Sequence, residues 1–195
     1  MAGPTIDSRA LAQRCREQIR QRYALVTSCI ETSFLVEQTA LNLELPIKRM
    51  VCQVQAFSPK VAAAMERGEP IEPLLGQPGC WAVAVGMLQH PGDFVGRLDD
   101  ANNRYVGHVV CVAGDHLIDA SADQLSRPQW ELDIPTPVIG PLQGEGSPQK
   151  ALWFSNAEGV LLGYWFHPEV PPPKPVTDKK LKRLARQIAL ELKPR

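Results

Sequence analysis

The 195-residue sequence has no Cys-x-x-Cys pair, no glycine-rich phosphate loop and no apolar run of the roughly 18 residues that a membrane helix needs. Each absence removes a class of function. The five cysteines, at positions 15, 29, 52, 80 and 111, are odd in number and scattered. A disulfide framework and a cysteine-rich zinc site both require paired spacings, so neither is expected. The histidines at 90, 116 and 167 share no metal-ligand spacing, and no metal or other cofactor is expected. No apolar stretch follows a basic start, so no signal peptide is expected and the reducing cytoplasm is the natural setting. Formal net charge is zero, which gives no whole-chain case for nucleic acid or a membrane surface.

What is present is the composition of a folded chain. A hydrophobic content of 44% against 22% charged residues excludes disorder as the default. The length suits one domain with a real core better than two. Charge is unevenly spread: residues 171–195 hold eight Lys/Arg against two Asp/Glu, a net of +6, and residues 1–170 carry −6. We therefore expect a domain over 1–170 and, over 171–195, a proline-rich spacer followed by a basic amphipathic helix. Thr177 is placed to cap that helix, and Leu181, Leu184, Ala185, Ile188 and Leu192 form its apolar stripe. Its Lys/Arg face is either a solvated surface or a contact for an anionic partner.

Along the rest of the chain, Asp7 is placed to cap a first helix over 8–26, with Leu11, Cys15, Ile19, Arg22 and Val26 near one face and the other Arg and Glu residues outside. A second helix spans 27–43. There Ser28 and Glu31 have the spacing of a capping box, Glu31 reaching back to the Ser28 amide. Residues 47–57 switch to period two and predict a strand. Residues 58–79 are rich in Pro and Gly around a short helix near 62–65, long enough for a lid or substrate-facing loop. Further strands are predicted at 80–88, 105–113 and 116–121, the last two joined by a tight Gly114-Asp115 turn. Residues 126–149 read as a Pro/Gly-rich connection, and a final hairpin pairs 151–155 with 159–167. Helices come first and antiparallel strands after, which is the α+β class with N-terminal helices packed on an antiparallel sheet.

The chemistry centres on Cys29, predicted at the first helical position. Unpaired N–H groups and the positive end of the helix dipole favour thiolate there, and thiolate is the nucleophile. The Cys29 amide, free at a helix start, would be a natural oxyanion donor. A cysteine nucleophile needs a base, and the base needs an orienting group. His108 lies in one strand of the predicted hairpin. A turn at 114–115 sets residue 120 or 121 opposite it, so Asp119 is an adjacent or diagonal neighbour within reach of the imidazole. Cys29, His108 and Asp119 thus fit a nucleophile–base–orienter triad. Trp153, Tyr164 and Trp165 on the last hairpin would form either a substrate wall or core.

The helix-start cysteine, the strand PIKRMVCQV and the run GHVV…LIDASADQ resemble the transglutaminase-like branch of the papain-like cysteine hydrolases, especially small bacterial members. The resemblance covers about residues 25–128. It implies a papain-like or transglutaminase-like core, Cys29, His108 and Asp119 as nucleophile, base and orienter, and Gln124 helping to shape the pocket. A second echo is Gln77-Pro78-Gly79-Cys80-Trp81-Ala82, similar to the run around the papain catalytic cysteine. Cys80 is the competing nucleophile, but its segment is short, lacks a capping residue and reads as a strand. Trp81 would line the site or pack in the core. The expected activity is cofactor-independent acyl transfer through a thioester, from a peptide or other amide to water, as in a protease, amidase or deamidase. Transfer to an amine and an inactive interaction module on the same fold are the alternatives.

Overall fold

A computed structural model describes residues 7–22, 28–85, 107–128, 132–142, 152–155 and 159–193. The parts of the predicted elements at 23–27, 86–88, 105–106 and 151, and the loop at 89–104, lie outside them. Helix α1 (Ser8–Arg22) begins where the Asp7 side chain accepts from the Arg9 amide, at 2.8 Å. Helix α2 (Cys29–Asn42) follows, then strand β1 (Ile47–Phe57), helix α3 (Pro59–Glu66) and strands β2 (Ala82–Val85), β3 (His108–Ala113) and β4 (His116–Asp119). A 3-10 turn at Ala122–Leu125 leads on to β5 (Val138–Pro141), β6 (Leu152–Ser155), β7 (Leu161–Phe166) and helix α4 (Asp178–Leu192). Among the described residues every strand pairing is antiparallel, in the order β5-β4-β3-β1-β7-β6, with β2 also on β1. The chain is therefore α+β. Strand β5 is a correction, because the 126–149 segment reads as a plain connection. Its one proline, Pro141, sits at an edge strand, where a missing amide donor is tolerated.

The long strand β1 organises the sheet. Along one side, β2 pairs residues 57–54 and β3 pairs residues 52–47, each in the same direction. The described pairing of β2 ends at Val85, beside Val54, and that of β3 begins at His108, beside Cys52. On its other side, β1 pairs β7 from Cys52 to Phe57. The β3–β4 hairpin turns at Gly114, whose φ of +59° is left-handed, and sets Cys111 opposite Ile118.

Strand alternation sorts the core into two clusters. One face puts Ile47, Cys111, Ile118 and Ala120 against Leu11, Ile19, Phe34, Leu35, Leu181 and Ile188 of the helices. The opposite face puts Cys52, Val54, Val110, Leu117 and Tyr164 against Leu125, Leu132 and Ile134. Helix α4 buries its predicted stripe in the same cluster as α1 and α2. The proline-rich spacer is tied down, with Val170 and Pro175 buried and the Pro173 carbonyl accepting from Arg49 Nη1 at 2.8 Å. Position 177 precedes α4 as predicted, but the Thr177 side chain makes no capping bond. The 58–79 break is packed. Ser58 caps α3, and Ile71 and Leu74 close on Phe57, Val61 and Cys80.

Among the described residues, no helix is long and apolar enough to cross a membrane. Because α4 shares a core with α1 and α2, Leu181→Ala should cost about 2–5 kcal/mol. Urea unfolding followed by circular dichroism should show one transition moved to lower denaturant. Separate melting of a small C-terminal unit would contradict the shared core.

Candidate functional site

The first turn of α2 departs from its expected cap. Ser28 has φ −96° and ψ 6°, outside the extended geometry that lets an N-cap side chain reach the next amides, and it makes no side-chain cap bond. The Ser28 half of the expected Ser28–Glu31 capping box does not form. A residue 96 positions beyond Ser28 takes the role. In the orientation that satisfies its partners, Gln124 Oε1 accepts from the amides of Ser28 (3.1 Å) and Cys29 (2.8 Å). The Cys29 amide is thus engaged rather than free, which corrects its expected role as a ready oxyanion donor.

Cys29 itself is buried, 5% exposed, and close enough to the His108 ring that its thiol contributes to raising the ring's pKa. That ring is anchored: His108 Nε2 donates to Asp119 Oδ2 at 2.9 Å. Hairpin register explains the pairing: continuing the Cys111–Ile118 ladder sets 108 opposite 121, so Asp119 is the diagonal neighbour. Both side chains are fully buried. Asp119 Oδ2 also accepts from Tyr164 Oη at 3.0 Å, and its Oδ1 accepts from the Ser121 amide at 2.9 Å. A buried carboxylate this well supplied with donors stays charged.

Burial alone would lower the His108 pKa, but the charge and hydrogen bond of Asp119, with help from Cys29, push it up to about 10. Asp119 is opposed by burial too, yet the His108 charge and its donors hold it below the usual carboxylate value. Cys52, paired with His108 across the β1–β3 ladder, is the reverse case. Burial, then the charges of Asp119 and Cys29, hold its thiol well above the usual value.

The remaining candidates separate. Cys80 packs with Phe57 and Val61 beside α3, five residues along β1 from the pair that holds His108. Trp81 is half-buried against the cluster that contains Cys52 and Tyr164. The side chain of Trp153 lies outside the described set. Two contributors are not evident from local pattern. Tyr164 is one, though the alternation of Leu162 and Tyr164 in the last strand places it inward. Arg16 is the other. It is 3% exposed and reaches Ser28, Thr32 and Asp123, while the charged residues of α1 are expected outside. Its spacing from Ala12 and Ile19 is the signal that places it on the buried face. Among the described residues no three His, Cys, Asp or Glu side chains converge as metal ligands. Compared with family models, curated proteins and solved structures, the chain finds no match.

The raised His108 pKa has a definite sign for stability. Its contribution is full below the unfolded value near 6.5 and is lost as pH rises through about 10. Asp119→Asn removes the main cause. The stability gap between wild type and Asp119→Asn, from urea titrations, should be widest near pH 5–6 and narrow steadily toward pH 10. A gap independent of pH would contradict the ion pair.

Proposed function

We propose that this protein is a cysteine-dependent acyl-transfer enzyme acting on a peptide or other amide, with Cys29 as nucleophile, His108 as acid–base and Asp119 as orienter. The single observation that carries the reading is the fully buried His108–Asp119 pair with the Cys29 thiol close to the same ring. That is the order of groups which thiol catalysis requires. In the reaction proposed, the Cys29 sulfur bonds to the acyl carbon as the imidazolium of His108 gives its proton to the departing amine. The thioester then yields to water: His108 takes one water proton, the water oxygen bonds to the acyl carbon, and sulfur leaves as thiolate, which restores the imidazolium. Asp119 keeps Nε2 protonated, so Nδ1 does the work at sulfur.

The papain-like or transglutaminase-like core belongs to this proposal. The helix-start cysteine and the His–Asp hairpin support it. Gln124, on the amides at the head of α2, and Trp81 are the nearest candidates for the substrate wall. An amine acceptor in place of water would make the enzyme a transferase; the absence of a carrier motif leans toward hydrolysis. The protein would work in the reducing cytoplasm. The basic face of α4, where Lys179, Lys180, Lys182, Arg183 and Arg186 are exposed, is available to an anionic partner.

Iodoacetamide labelling read by mass spectrometry tests this. At pH 7 the folded protein should alkylate at Cys29 well ahead of Cys15, Cys52 and Cys111, and His108→Ala should slow that reaction by about 10²-fold, the scale of a positioned acid–base group. Equal rates with and without His108 would leave Cys29 an ordinary buried thiol.

A further inference from the structure

One hexapeptide, Asp119–Gln124, reaches both His108 and the head of α2. Asp119, at its start, holds the base. Asp123 and Gln124, at its end, hold the nucleophile's helix from two directions. Asp123 Oδ2 accepts from Arg16 Nη2 at 2.7 Å and from Arg16 Nε at 3.2 Å. The same guanidinium donates from Nη1 to the hydroxyl of Ser28 and to Thr32 Oγ1, at 3.2 Å. Gln124 takes the amides of Ser28 and Cys29. Asp123 is fixed in turn, its amide donating to Thr136 Oγ1 at 2.9 Å.

This is an expensive arrangement for mere adhesion. A buried arginine–carboxylate pair loses hydration that its attraction only partly restores, and an apolar pair of the same volume often serves stability as well. The planar guanidinium does what an apolar pair cannot. It fixes directions and distances among three groups on separate elements: α1, the start of α2 and the turn after β4. Ser28 immediately precedes Cys29, and Asp123 stands four residues after Asp119. A shift of Arg16 therefore alters the register between thiol and imidazole without touching either.

We propose that Arg16, clamped to Asp123, is a positioning residue that sets the Cys29 thiol against the His108 ring. The assignment rests on the catalytic reading of Cys29 and His108. Arg16 acts through Ser28 and contacts no reacting atom. Its removal loosens the head of α2, while the apolar packing of Leu11, Cys15 and Ile19 continues to hold α1 in place.

The test uses the full-length protein and iodoacetamide between pH 5 and 10, with labelling read at each cysteine for wild type, His108→Ala, Arg16→Met, Arg16→Lys and Ser28→Ala. Arg16→Met removes the fork, and Arg16→Lys keeps the charge without the two-sided geometry. The expected result is that Cys29 slows in both Arg16 variants by on the order of 10- to 100-fold, the scale of a misplacement of about 1 Å. Its pH profile should move toward that of His108→Ala, and Cys15 and Cys111 should stay protected. Full wild-type reactivity in Arg16→Lys would show that charge suffices and overturn the positioning role. If the Arg16 variants expose every cysteine together, Ser28→Ala decides: a rate and pH profile equal to wild type overturns the role, and a selective slowing of Cys29 supports it. Wild type no faster than His108→Ala overturns the catalytic reading itself, and the positioning role falls with it. A fast wild type matched by equally fast, folded Arg16 variants overturns only the positioning role.

Discussion

Everything in the site depends on keeping one carboxylate charged where no water reaches it. Asp119 is fully buried, and an isolated carboxylate there would take up a proton rather than stay ionised. Three neighbours prevent this: the His108 ring and the Tyr164 hydroxyl on one oxygen, and the Ser121 amide on the other. Each comes from a different part of the sheet or its exit turn. With the charge secured, the ring beside it holds its proton and its orientation close to the Cys29 thiol. Loss of the carboxylate would leave a buried imidazole that burial drives toward neutrality.

The fold makes this possible by bringing two ends together. Strand β1 carries β2 and β3 in line on one side, and the described pairing of β3 begins at His108. The β3–β4 hairpin then returns Asp119 to the same end. Strand alternation puts Leu117 on the face opposite the helices and Ile118 beneath them, and Asp119, one residue further, shares the face of Leu117 and Tyr164. Helix α2 meets this end with its N-terminus. The site therefore lies at the margin between the two core clusters, held on one side by strand pairing and on the other by the Arg16, Asp123 and Gln124 contacts.

Much of this geometry was readable from local pattern. Period two over 47–57 marks β1 residue for residue, and Gly114-Asp115 sets the hairpin register from which the His108–Asp119 contact follows. The stripe on α4 is buried where its spacing puts it. The head of α2 was not readable in the same way. Ser28 and Glu31 have the spacing of a capping box, yet Ser28 turns to Arg16, and Gln124 caps the helix from 96 residues beyond Ser28. Propensity and spacing describe what neighbours in sequence can do for one another. They carry no information about a distant amide that competes for the same donors. Strand β5 escaped for a related reason. Its Gly and Pro content is that of a connection, and only the exposed edge of β4 makes a strand of it.

The central claim is that Cys29, His108 and Asp119 form one coupled unit, and the protonation of the His108 ring tests it most directly. With 15N-labelled histidine, long-range correlation spectra at pH 7.5 should show both ring nitrogens of His108 protonated in the wild-type protein. In Asp119→Asn the ring should be neutral at the same pH. A wild-type His108 that is neutral at pH 7.5, titrates near the ordinary value of about 6.5 and does not respond to Asp119→Asn would contradict the account.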